Sequence, residues 1–153
     1  MNINYKKLFI CILIPLAVGF VSAFLTRNNM ELFDVINKPK LSPPGQLFPI
    51  VWTILYICMG IASYLVCVSG ADNQAALNVY AVQLIFNFFW SIIFFYLQEY
   101  QFAFYWLVVL WILILITTRR FYNISKPAGY LMIPYLLWVT FAGYLNWQIY
   151  ILN

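Results

Sequence analysis

The stretch Asn37-Lys38-Pro39-Lys40-Leu41-Ser42-Pro43-Pro44-Gly45-Gln46-Leu47-Phe48-Pro49-Ile50-Val51-Trp52-Thr53-Ile54-Leu55-Tyr56 decides the fold, because a polar, proline-stiffened segment runs here directly into a charge-free aromatic one. Four of the seven prolines lie inside it. Proline fixes φ and removes a backbone donor, so the stretch cannot be a helix interior until the prolines end. From Leu41 the next charge is Asp72, which leaves room for a long apolar helix starting near Phe48. A rigid entrance to such a helix reads as a lid over the inside of a membrane protein.

The charge map extends this reading to the whole chain. Only 8% of the 153 residues are charged, against 65% hydrophobic and 21% aromatic; soluble domains carry roughly 25% charge. The twelve charges bound five charge-free stretches, 8–26, 41–71, 73–98, 100–118 and 127–153. A helix needs about 20 residues to cross the hydrocarbon core. The runs are continuous rather than alternating, which favours helices over a barrel. The expected fold class is therefore an all-α integral membrane protein, one domain over 1–153. Its five transmembrane helices are expected at about 8–25, 48–68, 75–97, 102–118 and 128–151.

The charges that remain belong to the membrane surfaces. The net charge of +4 reflects residues flanking spans, and no nucleic-acid partner is expected. Lys6, Lys7, Arg119, Arg120 and Lys126 fall on one side, and Arg27, Lys38 and Lys40 on the other. That bias places the N-terminus in the cytoplasm of a multi-pass cell-membrane protein. The first span follows Lys6-Lys7 like a signal peptide, but it exceeds a typical h-region and Ser22-Ala23-Phe24 lacks a small-x-small cleavage site. It is read as a retained helix, kinked by Pro15, with Gly19 and Ala23 admitting a neighbour. Glu31, Leu32, Phe33, Val35 and Ile36 fit a short amphipathic turn in the 26–47 connection. Arg119 to Lys126 reads as a basic connection before Pro127, which suits a helix start.

Chemistry is constrained by what is missing. There is no histidine, and Cys11, Cys58 and Cys67 lie in apolar spans without CxxC spacing. No metal site and no required cofactor are expected. No charge lies deep in a span, which argues against pumps and ion-coupled carriers. The spans instead carry aromatic–amide faces. Gln83, Asn87 and Trp90 share one face of the third helix. Tyr135, Trp138, Ala142 and Asn146 share one on the fifth, and Trp52 and Tyr56 one on the second. Helix packing accounts for any one of these residues alone. Three such faces together suit a flat, largely apolar ligand held by a few donors.

These faces carry a resemblance. Pro43-Pro44-x3-Phe48-x2-Val51-Trp52-x2-Leu55-Tyr56 resembles the signature of the tryptophan-rich sensory proteins, also called translocator proteins or peripheral benzodiazepine receptors. So do Gln83-Leu84-x2-Asn87-x2-Trp90-x3-Phe94-Phe95 and Pro134-Tyr135-Leu136-x-Trp138-x2-Phe141-Ala142-x2-Leu145-Asn146. The resemblance implies a five-helix bundle, often a homodimer, whose ligand cavity is capped by the loop between helices 1 and 2. It implies binding of porphyrins such as protoporphyrin IX and haem, and of isoquinoline carboxamide and benzodiazepine ligands. Trp52 and Trp138 would face the cavity, with Asn87, Trp90 and Ala142 lining it. Leu41 stands where many members carry Trp, a departure from the signature. No Lys or Arg follows Trp147, which makes cholesterol, a ligand of animal members, the least expected of the family's ligands here.

The resulting expectation is a porphyrin-binding protein, with the macrocycle on the aromatic faces and hydrogen bonds to Asn87 and Gln83. Lys38, Lys40 or Arg27 would meet ligand carboxylates at the mouth. An enzyme in the ordinary sense is not expected. Light-dependent degradation of bound protoporphyrin, with Trp52 and Trp138 as redox partners, is the catalytic possibility, and a porphyrin or lipid transporter is the alternative.

Overall fold

The computed structural model describes residues 2–153. They form α1 (Tyr5–Thr26), α2 (Met30–Val35), α3 (Leu47–Cys67), α4 (Gln74–Ser91), α5 (Tyr100–Ile124) and α6 (Lys126–Leu152). A 3-10 turn, Arg27–Asn29, joins α1 to α2, and a π-helical turn, Ile92–Tyr96, extends α4. Among the described residues, five helical segments are long and apolar enough to cross a membrane. The chain is a multi-pass, all-helical membrane bundle.

The core follows from spacing. The buried residues of α4 include Ala76, Tyr80, Gln83, Asn87 and Trp90. Those of α5 are Ala103, Leu107, Leu110, Ile114, Thr117 and Phe121. Those of α6 include Ala128, Met132, Tyr135, Val139, Ala142, Asn146 and Ile149. Each run alternates steps of three and four, so one stripe per helix faces inward. Around the bundle the helices follow the order α1, α3, α6, α5, α4 and back to α1. The other faces carry exposed Phe, Ile, Leu and Val, as bilayer-facing surfaces do.

The close approach of α1 to α3 has a local cause. Gly60 lies against the Ile12 backbone, where a Cβ would also come 2.8 Å from the Cys11 carbonyl oxygen. Farther along, Gly19 leaves the space that the Tyr56 ring occupies. Gly19 therefore serves the close approach expected of it. Pro15 is buried within α1, which continues through it.

Two local expectations are corrected. The segment from Arg119 is not a connection: α5 runs on to Ile124, leaving only Ser125 before α6. Arginine is a good helix former, and the Ser125 amide donates back to the Phe121 carbonyl at 2.7 Å. A 25-residue helix is about 37 Å long, so it overshoots the hydrocarbon core of about 30 Å and carries its arginines into the headgroups. The third span also departs from a regular helix. Its π turn brings both Phe94 and Phe95 to Phe33, with ring centroids 6.1 and 5.4 Å apart.

The α1–α3 connection is held at two points. Phe33, the buried residue of α2, packs edge-on against Phe48 at 6.3 Å. Four residues further on, the Asn37 amide donates to Asn153 Oδ1 at 3.1 Å, and Asn153 Nδ2 donates to the Asn37 carbonyl at 2.9 Å. The Ser42 amide donates to the Pro39 carbonyl at 3.0 Å, making the proline segment a turn.

Candidate functional site: an aromatic cavity beneath the α1–α3 connection

A cavity of about 590 Å³ occupies the half of the bundle nearest the connection. Its walls come from the later turns of α1, the first turns of α3, the end of α4 with its π turn, and the second half of α6. Arg27, Met30, Phe33 and Ser42 line it from the connection. α5 contributes nothing to the wall, because its buried stripe is occupied against α4 and α6.

The lining is a run of rings. Trp52 stacks on Tyr56 at 5.6 Å and lies 6.4 Å from Trp90, which stacks on Phe94 at 5.3 Å. One turn before Trp52 on α3, Phe48 meets Trp138 at 5.9 Å. Trp138 Nε1 is buried and makes no hydrogen bond within the protein. A buried donor without a partner is costly, so this one is suited to an acceptor from a ligand or water.

Six of the nine residues expected at the site line this cavity: Trp52, Tyr56, Trp90, Trp138, Ala142 and Asn146. The expectation that Asn87 lines it is corrected, and Gln83 and Tyr135 also lie behind the wall. All three are almost fully buried. Tyr56 Oη donates to Asn87 Oδ1 at 2.7 Å, and Asn87 Nδ2 donates to Tyr135 Oη at 2.9 Å. Tyr135 Oη donates in turn to Gln83 Oε1 at 2.7 Å, and Gln83 Nε2 points at Met59 Sδ at 3.8 Å. These bonds join α3, α4 and α6 across the centre and close the inner end of the cavity. The two amides are partnered by the two tyrosine hydroxyls, as buried polar groups must be. Asn146 is similarly engaged: it accepts from Trp90 Nε1 at 3.1 Å and donates to the Tyr100 carbonyl at 2.8 Å.

The reading by faces missed the α1 wall. Gly19, Phe20, Ser22, Ala23 and Thr26 line the cavity, yet α1 carries no aromatic–amide face. Its available signal was the run of small residues at Gly19, Ser22, Ala23 and Thr26, which keeps one side of the helix thin. Of the three cations expected at the mouth, Arg27 alone lines the cavity. Lys38 is 3.6 Å from Asp34 and sits 4.4 Å above the Phe33 ring.

Residues 11–152 match the TspO/MBR family. The chain is 42% identical to the tryptophan-rich protein TspO of Chlorobaculum tepidum, covering 100% of this chain and 99% of the relative. It is 38% identical to the tryptophan-rich protein TspO of Archaeoglobus fulgidus, covering 98% and 99%. It is 32% identical to the translocator protein of Bos taurus, covering 90% and 85%.

Proposed function

The chain belongs to the TspO/MBR family, and from that premise we propose that it binds porphyrins, protoporphyrin IX foremost, in the cavity beneath the α1–α3 connection. Isoquinoline carboxamide and benzodiazepine-type ligands would share the site. The observation that carries this reading is the wall itself. A space of about 590 Å³ is faced by Trp52, Trp90, Trp138, Phe48 and Phe94, within the roughly 300–1,000 Å³ of small-molecule sites. Ring faces stack on a macrocycle and bury its apolar surface. The connection is the lid, clasped at Asn37–Asn153 and wedged by Phe33. The Lys and Arg bias supports a cytoplasmic N-terminus, with the lid on the opposite side of the membrane.

Titration of purified protein in detergent with protoporphyrin IX and with haem tests the reading. The chain has no histidine to ligate iron, so the metal-free porphyrin is expected to bind at least as tightly as haem. A far tighter haem complex with the spectrum of ligated iron would overturn this.

The unpartnered indole of Trp138 favours a second activity, light-driven degradation of the bound porphyrin. Excited porphyrin would take one electron from the indole and pass it to dioxygen, the oxidant, giving superoxide. The indole radical cation would then take an electron back from the porphyrin, and the porphyrin radical cation and superoxide would combine, which puts both oxygen atoms on the macrocycle and opens it. Trp138→Phe is expected to slow photobleaching of bound protoporphyrin at least about tenfold while changing its Kd far less. Equal losses in both would leave Trp138 as a wall and nothing more.

A further inference from the structure

The cavity has one charge and one open side, and the two coincide. Its exposed lining residues are Phe20 and Ala23 on α1, Arg27 and Met30 just beyond it, and Pro49 and Thr53 on α3. The cavity therefore opens sideways between α1 and α3, past their close contact at Gly19 and Tyr56. In a membrane-spanning bundle that opening faces lipid. Arg27 stands at its outer end, one residue past the end of α1, where the polar headgroups begin.

The guanidinium is held but not neutralised. Its Cζ lies 3.8 Å from the centroid of the Phe24 ring. No carboxylate lines the cavity, and among the described residues Arg27 forms no ion pair. Phe24 holds the guanidinium by its face, which leaves the planar N–H fork free for a bidentate acceptor. Lys38 is engaged with Asp34 and Phe33, and Lys40 does not line the cavity.

We propose that Arg27 is the specificity-determining anchor of the site, which selects membrane-dissolved ligands with a flat apolar body and an acidic group at one edge over their neutral analogues. The ring system enters through the α1–α3 opening from the bilayer. The acidic group stays at headgroup depth, on the guanidinium. This deepens the porphyrin reading and rests on it for the probe.

The test compares protoporphyrin IX with its dimethyl ester on the wild type, Arg27→Gln, Arg27→Lys and, as a control, Lys40→Gln, all in detergent. The free acid is expected to bind the wild type about tenfold more tightly than the ester, the lower range for a charge-assisted contact at an exposed group. Arg27→Gln is expected to remove that preference and leave ester binding unchanged. Arg27→Lys restores part of it, and Lys40→Gln changes nothing. Equal weakening of acid and ester in Arg27→Gln would assign Arg27 a structural role and overturn the proposal. So would an unchanged preference. Pyrenebutyric acid and its methyl ester, run in parallel, separate the two readings. If no porphyrin binds but the pyrene acid is preferred and loses that preference in Arg27→Gln, the porphyrin reading fails and the anchor stands. No acid preference in either pair overturns the anchor.

Discussion

Gly60→Val is expected to destabilise the bundle by about 3 kcal/mol, the upper part of the range for overpacking, and to lower the melting temperature in detergent accordingly. The new Cβ would strike Ile12 Cα and come 2.8 Å from the Cys11 carbonyl oxygen. Both are backbone atoms of α1, so no rotamer change relieves the contact. The helices must move apart, and the van der Waals packing that holds transmembrane helices together is lost along their length. The separation also disturbs the mouth of the cavity, which lies farther along the same helix pair. Gly45→Val is the control, because a Cβ there meets nothing within 4 Å. If both variants melt with the wild type, the α1–α3 approach does not limit stability and the packing argument fails.

Asn87→Leu carries the second large expected effect, a loss of about 2–3 kcal/mol. Asn87 accepts from Tyr56 Oη at 2.7 Å and donates to Tyr135 Oη at 2.9 Å. Leucine fills a similar volume but ends both bonds. Tyr135 still donates to Gln83, whereas the Tyr56 hydroxyl is left buried without its acceptor. An unmet buried donor costs about 1–3 kcal/mol, and interhelical bonds inside membranes are worth about 0.6 kcal/mol each on average. Tyr56→Phe alone is expected to cost about 1 kcal/mol. The double variant should recover part of the Asn87→Leu loss, because the orphaned hydroxyl is gone. Unfolding by SDS titration closes this cycle. Strictly additive losses would mean that the Tyr56–Asn87 bond contributes no coupling.

Much of the bundle was legible because bilayers impose a simple rule. Charges are excluded from the core, so five charge-free stretches mark five spans, and their inner faces repeat every three or four residues. The ends were less legible. Arg119 and Arg120 look like a loop in a charge map, yet headgroups tolerate a helix as well as a loop, and α5 keeps its hydrogen bonds through them. The π turn at Ile92–Tyr96 was not legible at all, since it answers to Phe33, which is some sixty residues away in sequence.

The site divides along a similar line. Trp52, Tyr56, Trp90, Trp138, Ala142 and Asn146 reach the wall from faces that helical spacing alone defines. Spacing assigns Gln83, Asn87 and Tyr135 to those same faces but says nothing of depth along the bundle. In the folded protein they stand one or two turns below the wall, bonded to one another.

By itself, then, the sequence determined the class, the number of spans and the inward stripe of each, because exclusion of charge from lipid and helical periodicity are local rules. Only the tertiary structure decided which amides close the inner end, that α1 supplies a wall through its small residues, and that Arg27 is the cation at the opening. Those outcomes depend on the relative height and crossing of different helices. Contacts such as Gly60 on Ile12, Gly19 on Tyr56 and Phe33 on Phe95 set these, and residues distant in the chain make them.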